Sequence, residues 1–285
     1  DSTQLRSFLR GAQCVVHCAA RKNDEKDSYE VNIGGAKNLI TVCKDLGVPH
    51  IIHISTQSIY LKKQGVYAHT KTLAEQLFYE SNILVTTLRC SVIYDGIDTG
   101  ILASMRRFSK LPIVPIIGDG NIRFYPLHRN DLAKIIHKLI VQPELQGKMY
   151  DVGGKESFTF NTLIDLILSS EHRRKIKIHL PLSISLCIAR LMQYLPRPPL
   201  TISNVLGASE NIIMDPLPIL QKTGIEPRTL HTIFNHQERL IRNMNDESRI
   251  ILEYIASTAQ PKIIITEILC KRYEDACNHL QLAHQ

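Results

Sequence analysis

The sequence lacks an apolar stretch long enough to cross a bilayer, which requires about 20 residues. The nearest candidate is the segment 180–195, but Arg190 interrupts it and prolines flank it. This pattern predicts an amphipathic or buried helix. The chain also shows no secretory signal pattern. We therefore expect no transmembrane segment.

Closely paired cysteines are lacking as well. No two cysteines have the C-x-x-C spacing of a zinc site, so no metal site is predicted. Several lie inside apolar runs, where a free cysteine behaves as a small hydrophobic residue. An odd number of cysteines without a signal peptide is typical of the reducing cytoplasm, which is the expected location. The seven cysteines are Cys14, Cys18, Cys43, Cys90, Cys187, Cys270 and Cys277.

A nucleic-acid-binding module is also absent, although the net charge is +7 and the pI is about 9.0. The basic residues are dispersed, apart from Arg106-Arg107 and the run 172–177. Such a balance would suit an anionic ligand, but a solvated face is the simpler interpretation of both clusters. We expect no nucleic-acid partner. With 44% hydrophobic and 21% charged residues, the composition is that of a folded globular protein.

What the first half contains is an alternation of buried strands and amphipathic helices. Continuous apolar strands that alternate with helices are typical of a parallel sheet with helices on both faces. The fold class predicted is therefore α/β, a doubly wound parallel sheet. Helices are predicted at 3–10, 32–46 and 66–79, and strands at 14–19, 50–55 and 83–89.

After about residue 95 the pattern loosens. We assign 1–110 to the sheet domain and 111–243 to a smaller mixed α/β substrate region whose chain crosses back to the sheet. Residues 244–285 are predicted to be a helical tail of unknown role. Within these segments we predict helices at 101–109 and 131–141, strands at 149–152 and 175–180, and a rigid extended segment at 195–200 (LPRPPL).

The chemistry is predicted to centre on Tyr67 and Lys71 in YAHTKTLAE. Four residues apart, they lie on the same side of one helix. A phenol has an ordinary pKa of about 10, and a neighbouring ammonium would lower it by favouring the phenolate. The pair makes an acid/base if its helix borders a cleft. Such spacing also arises by chance, so the context of the pair decides between the two interpretations.

That context consists of the strand ends nearby, because ligands bind at the carboxyl edge of a parallel sheet. The strand 50–55 ends at Ser55-Thr56, whose hydroxyls could bind a substrate oxygen and the Tyr67 phenol. The strand 14–19 ends in small residues that allow a cofactor close to the backbone. Asn32 is predicted to open the next helix.

Together the segments HCAA, VNIGGAKNL, HISTQSIY, YAHTK and LRCSVIYD resemble the extended short-chain dehydrogenases, the NAD-dependent epimerase/dehydratase family. The resemblance implies a Rossmann-like fold and NAD or NADP as cofactor. It implies that Tyr67 is the acid/base, that Lys71 binds the nicotinamide ribose and that Thr56 is the catalytic hydroxyl, with Ser55 and Ser58 as alternatives. The implied cofactor-binding residues are Cys18, Ala19, Ala20, Asn32, Ser55, Tyr67, Lys71 and Cys90.

The chain departs from this family in two respects. The G-x-x-G-x-x-G turn that binds the pyrophosphate is lacking, so we expect the chain to begin after the family's first strands. The choice between NAD and NADP therefore stays open. In L-R-P-x-x-x-Y-G, Cys90 replaces the proline and Asp95 the glycine.

The later segment GDGNIRFYPLHRNDLAKII is similar to an atypical branch of the family, which includes the NADPH-binding accessory subunit of respiratory complex I. Arg123 is a candidate for binding a substrate phosphate, with a surface arginine as the alternative. His128 is interpreted as a packed residue that bonds the backbone, and Asp131 as an N-cap.

Two functions remain open. The first is an NAD(P)-dependent oxidoreductase or epimerase acting at a carbinol or carbonyl carbon of a small-molecule substrate with a hydrophobic part. The alternative is a non-catalytic, cofactor-binding structural subunit. An intact Thr56-Tyr67-Lys71 set favours the enzyme, and the later motifs favour the subunit. Homo-oligomerisation is left open.

Overall fold

The computed structural model describes residues 2–22, 25–96, 100–195, 200–234 and 263–266. The described helices are α1 (Ser2–Leu9), α2 (Glu25–Tyr29), α3 (Gly35–Asp45), α4 (Val66–Tyr79), α5 (Gly100–Ser109), α6 (Arg129–Val141), α7 (Phe160–Ser170), α8 (Leu182–Met192), α9 (Ile202–Gly207) and α10 (Leu217–Thr223). The described strands are β1 (Cys14–His17), β2 (His50–Thr56), β3 (Leu84–Cys90), β4 (Ile93–Tyr94), β5 (Ile113–Ile117), β6 (Arg123–Phe124), β7 (Leu127–His128), β8 (Met149–Val152), β9 (Phe158–Thr159), β10 (Ile176–Leu180) and β11 (Ile263–Thr266).

The main sheet is parallel throughout and has the strand order β11-β1-β2-β3-β8. Its inner strands are buried on both faces, as their apolar runs predict. One face packs against α1, α3 and α4, and the other packs against α6 and α10. Helices on both faces of a parallel sheet confirm the predicted doubly wound, Rossmann-like fold.

A second core forms beyond the main sheet. It joins α5 and α7 to the parallel pair β5–β10 and the antiparallel pair β6–β9. Its buried residues include Tyr94, Leu102, Phe124 and Leu163. Meanwhile β8, α6 and α10 return to the main sheet, so the later chain contributes to both cores.

Several predicted elements match closely. The helix at 66–79 and the strand at 149–152 have the predicted bounds. The strand at 83–89 is shifted by one residue. Helix α7, in which the Thr162 amide donates to the capping Thr159 hydroxyl, was not predicted. No helix in the described part of the chain is both long and apolar enough to cross a membrane.

Three predictions are wrong. Asn32 does not open a helix: it lies in a π-helical turn, Glu30–Gly34, between α2 and α3. Asp131 is not an N-cap, because His128 caps α6 by accepting a hydrogen bond from the Asn130 amide. The tail predicted to be helical contains a strand, β11, which pairs in parallel with β1 and is an edge strand of the sheet. The rest of that tail lies outside the described residues.

Candidate active site

The candidate site lies at the carboxyl edge of the main sheet. Residues 18–22 follow β1, Thr56 ends β2 and Cys90 ends β3. Thr56 and Cys90 are register partners, which places them side by side at this edge. Helix α4, which carries Tyr67 and Lys71, packs on the sheet beside them. The structure therefore brings the predicted catalytic residues together where ligands bind in open α/β sheets.

Helix α4 is held firmly in this position. Its buried side includes Ala74 and Phe78, which join the core beneath it. Glu75, one turn beyond Lys71, accepts hydrogen bonds from Arg89 of β3, the shortest at 2.9 Å. The same guanidinium donates to the Tyr60 hydroxyl at 2.9 Å. An ion pair and a packed face therefore fix the helix that presents the acid/base.

Tyr67 is half-buried, and the Thr56 hydroxyl lies near its phenol. Burial raises the pKa of Tyr67 to about 12, with Cys90 adding to the rise and the nearby Thr56 hydroxyl opposing it. The expectation that Lys71 lowers this pKa is wrong for this structure, because the Lys71 ammonium is engaged elsewhere. At neutral pH the phenol keeps its proton.

Lys71 is 1% exposed. Its Nζ donates to the Ile54 carbonyl at 2.7 Å and lies 3.4 Å from His53 Nε2. Burial lowers the pKa of Lys71 to about 8, and the carboxylate of Glu75 opposes that shift. An ammonium has three N–H donors, and within the described part of the chain these contacts use two of them.

The side chain of Asn32 links the loop after β1 to helix α4 by hydrogen bonds. Its Oδ1 accepts from the Arg21 amide at 2.7 Å, and its Nδ2 donates to the Arg21 carbonyl at 3.1 Å. Nδ2 also donates to the Thr70 hydroxyl at 2.9 Å. The Asn32 side chain is 1% exposed and lies beneath the loop. Its polar atoms are already hydrogen-bonded within the protein.

The other predicted cofactor residues differ in accessibility. Cys18 is exposed and Ala20 half-exposed, whereas Ala19 and Cys90 are buried. The Ser55 hydroxyl is buried and finds no hydrogen-bond partner among the described residues.

The two remaining candidates lie in different surroundings. Ser58 donates its amide to the Thr56 hydroxyl at 3.2 Å, so it orients that group. Arg123 lies on β6 in the second region, where it is exposed and donates to Ser157 at 3.0 Å.

Sequence reasoning missed three residues of the site. His17 and His53, both buried, are neighbours of Lys71 beneath the sheet edge. Lys22 places its ammonium 5.5 Å from the centre of the Tyr67 ring, a cation–π contact. The signal available was positional: His17 precedes the small residues of HCAA, and His53 stands two residues before Ser55.

These features define a class of protein, the Rossmann-like nucleotide-binding proteins with a tyrosine and a lysine at the sheet edge. The sequence matches the family described as the NAD dependent epimerase/dehydratase family over residues 1–153, more than half of the chain. The chain belongs to that family.

Relatives in the family differ in function. The chain is 24% identical over 185 residues to NADH dehydrogenase (ubiquinone) 1 alpha subcomplex subunit 9, mitochondrial, of Dictyostelium discoideum, covering 64% of this chain and 51% of that protein. It is 28% identical over 212 residues to human sterol-4-alpha-carboxylate 3-dehydrogenase, decarboxylating, covering 62% and 55%. This chain therefore spans about half the length of these relatives.

Solved structures agree on the fold. The UDP-glucuronic acid 4-epimerase from Bacillus cereus, in complex with UDP-glucuronic acid and NAD, superimposes with a TM-score of 0.62 at 19% identity. The match covers 86% of this chain and 80% of that one.

The residues at the sheet edge fit a nicotinamide cofactor, which the family uses. Besides its two described contacts, Lys71 has a third N–H donor for a ribose hydroxyl. After β1, Cys18 is exposed and the small Ala20 is half-exposed, so a flat ring could approach the chain there. These residues therefore fit the nicotinamide end of the cofactor by their chemistry and their position.

Proposed function

We propose that this protein is an NAD(P)-dependent oxidoreductase or epimerase that acts at a carbinol or carbonyl carbon. The observation that carries the proposal is the position of Thr56 at the end of β2, beside helix α4, which carries both Tyr67 and Lys71. In this proposal the cofactor lies against Cys18, Ala19, Ala20, Ser55 and Cys90, on a loop that Asn32 holds.

Each side chain has one part in the reaction. When bound, the nicotinamide supplies or accepts a hydride at the substrate carbon. Tyr67 is protonated at neutral pH because burial raises its pKa, so it donates its proton to a carbonyl oxygen in the reducing direction. Thr56 bonds the same oxygen and the phenol. Lys71 binds the ribose.

We infer a substrate with a hydrophobic part. If that substrate also carries a phosphate, Arg123 would bind the phosphate. Support comes from the half-buried apolar side chains of α8 and from the human relative, which is named for a sterol carboxylate. Apolar side chains around a substrate favour such a ligand over a sugar diphosphate.

The test is Tyr67→Phe in the full-length protein. This change removes the phenol oxygen and keeps the ring, so the single-turnover rate should fall about 10²–10⁴-fold, as is usual for a general acid. Cofactor affinity should change little, since one hydrogen bond at most is lost. Nicotinamide absorbance with a panel of ketones and sterol-like alcohols gives the rate, and calorimetry gives the affinity.

Tyr79→Phe is the matched control, because Tyr79 lies at the end of the same helix and is 82% exposed. It should leave the rate unchanged. Equal rates for Tyr67→Phe and the parent would show that another group moves the proton.

The second candidate function is a cofactor-binding structural subunit without turnover. The similarity to the Dictyostelium complex I subunit favours it, as does a Tyr67 phenol whose pKa burial raises rather than lowers. In that case the parent turns over none of the substrates, and Lys71→Met weakens only cofactor retention or assembly with a partner.

A further inference from the structure

Two buried histidines extend the candidate site beneath Lys71. His17 of β1 and His53 of β2 are register partners on neighbouring parallel strands. They are 1% and 0% exposed, and their rings stack with centroids 5.2 Å apart. Phe78 of α4 packs on both rings. The imidazoles therefore lie in a closed apolar layer between the sheet and α4.

Polar contacts link the three side chains in a line. Lys71 Nζ lies 3.4 Å from His53 Nε2, and His53 Nδ1 lies 3.0 Å from His17 Nδ1. Both histidines are neutral near pH 7, because burial and the Lys71 charge lower their pKa values, that of His17 to about 3. A neutral imidazole has one donor and one acceptor nitrogen. If Lys71 donates to Nε2, the His53 proton must lie on Nδ1 and point to His17.

Resting on the proposed function, we propose that His53 is a positioning residue for Lys71. Its Nε2 accepts a hydrogen bond from the Lys71 ammonium, and His17 fixes the required tautomer by accepting from Nδ1. With the Ile54 carbonyl, His53 then uses two of the three N–H donors and directs the third to the ligand side of α4. A buried ammonium without these acceptors would lack partners for its donors.

Other charged and titratable groups around Lys71 cannot serve this purpose. Glu75 faces Arg89, to which it is bonded. Cys90 of β3, Cys18 and Lys22 also interact electrostatically with Lys71. A cation such as Lys22 cannot accept a hydrogen bond, and a neutral thiol accepts only weakly. Among these groups, His53 alone offers a strong, neutral acceptor within 3.4 Å of Nζ.

The first test needs no activity. Long-range proton–nitrogen NMR of the full-length protein at pH 7 identifies which nitrogen of each imidazole carries the proton. We expect His53 protonated on Nδ1 only and His17 on Nε2 only, with a changed His53 spectrum in Lys71→Met. A proton on His53 Nε2 would overturn the proposal, whether or not the protein turns over a substrate.

The second test compares two amides. In His53→Gln the side-chain oxygen reaches the former Nε2 position, whereas in His53→Asn it reaches only the Nδ1 position. We expect His53→Gln to keep kcat within about threefold and His53→Asn and His53→Phe to lose about tenfold or more, the effect of one hydrogen bond to a charged group. The apparent pKa of Lys71 in the pH–rate profile should change in His53→Asn and His53→Phe but not in His53→Gln.

His50→Phe is the matched control, since His50 is a buried histidine of the same strand that bonds Thr86 and Cys14 instead. It should leave kcat and the apparent pKa of Lys71 unchanged. Equal kinetics for His53→Gln and His53→Asn would overturn the positioning role. A parent without turnover would contradict the proposed function, and the proton positions found by NMR would still decide for or against the contact.

Discussion

Burial changes the protonation of three histidines in this protein. His17, His50 and His53 occupy β1 and β2, where the neighbouring residues are apolar. Removal from water penalises the imidazolium, so the pKa falls to about 3 for His17, to about 4 for His50 and well below 6.5 for His53. The folded state therefore requires three neutral imidazoles.

This requirement predicts acid sensitivity. Because the folded-state pKa values lie below the unfolded value of about 6.5, the unfolded state binds the extra protons as pH falls. Stability is complete above pH 6.5 and is lost on acidification towards pH 4 and 3. At pH 5 each of His17 and His50 should contribute a loss of about 2 kcal/mol. Urea unfolding at pH 7 and pH 5 measures this loss as a difference in the free energy of unfolding.

A histidine variant assigns the effect to its source. His50→Gln should reduce the dependence of unfolding free energy on pH by up to one proton, whereas the exposed His69→Gln should not alter it. An equal dependence in all three proteins would mean that carboxylates, and not buried histidines, govern acid unfolding.

Residue-level prediction from the sequence had a clear limit. Tyr67 and Lys71 could be placed on one helix face from their spacing alone, and the structure agrees. Their electrostatics could not be predicted, because the direction of Nζ depends on His53 and the Ile54 carbonyl, which come from another element. The buried histidines were missed because they stand among apolar residues of strands.

At the scale of elements, the loop 18–22 and helix α4 are joined through the side chain of one residue. Asn32 in the π-helical turn bonds Arg21 of the loop and Thr70 of α4. The periodicity of apolar residues in a helix does not predict a π-helical turn. Such a turn widens the backbone locally, here so that one side chain can make tertiary contacts. Strand and helix positions, in contrast, followed from periodicity.

Asn32→Ala should therefore destabilise the protein by about 1–3 kcal/mol, because the Arg21 amide loses its Asn32 acceptor and the buried Thr70 hydroxyl loses its Asn32 donor, while the Arg21 carbonyl keeps the Ser28 hydroxyl. Cofactor affinity should fall further than stability accounts for, since the loop after β1 is released. Asn32→Asp keeps the acceptor for the Arg21 amide and should lose less stability.

Thermal unfolding with and without NADH compares these variants. If NADH raises the melting temperature of Asn32→Ala as much as that of the parent, the Asn32 hydrogen bonds do not shape the cofactor site.

For the whole molecule, chain order and spatial order differ. The proposed division into 1–110 and 111–243 included a return of the later chain to the sheet, and β8 and α10 pack in the core of the main sheet. The second core is built around α5 and α7. The sequence motifs predict both regions, but the return crossing is set by β3–β8 pairing, a contact between distant segments.

Shared segments predict cooperative unfolding. Ile51 and Ile164 are both 0% exposed, one in the main-sheet core and one in the second core, so Ile51→Val and Ile164→Val are chemically matched. Each should destabilise the protein by about 0.5–1.5 kcal/mol. Since β4 packs Ile93 against the main-sheet core and places Tyr94 in the second core, calorimetry should show one transition, which both variants shift by a similar amount. Two transitions, each moved by only one variant, would show instead that the cores unfold independently and that the candidate site depends on the main-sheet core alone.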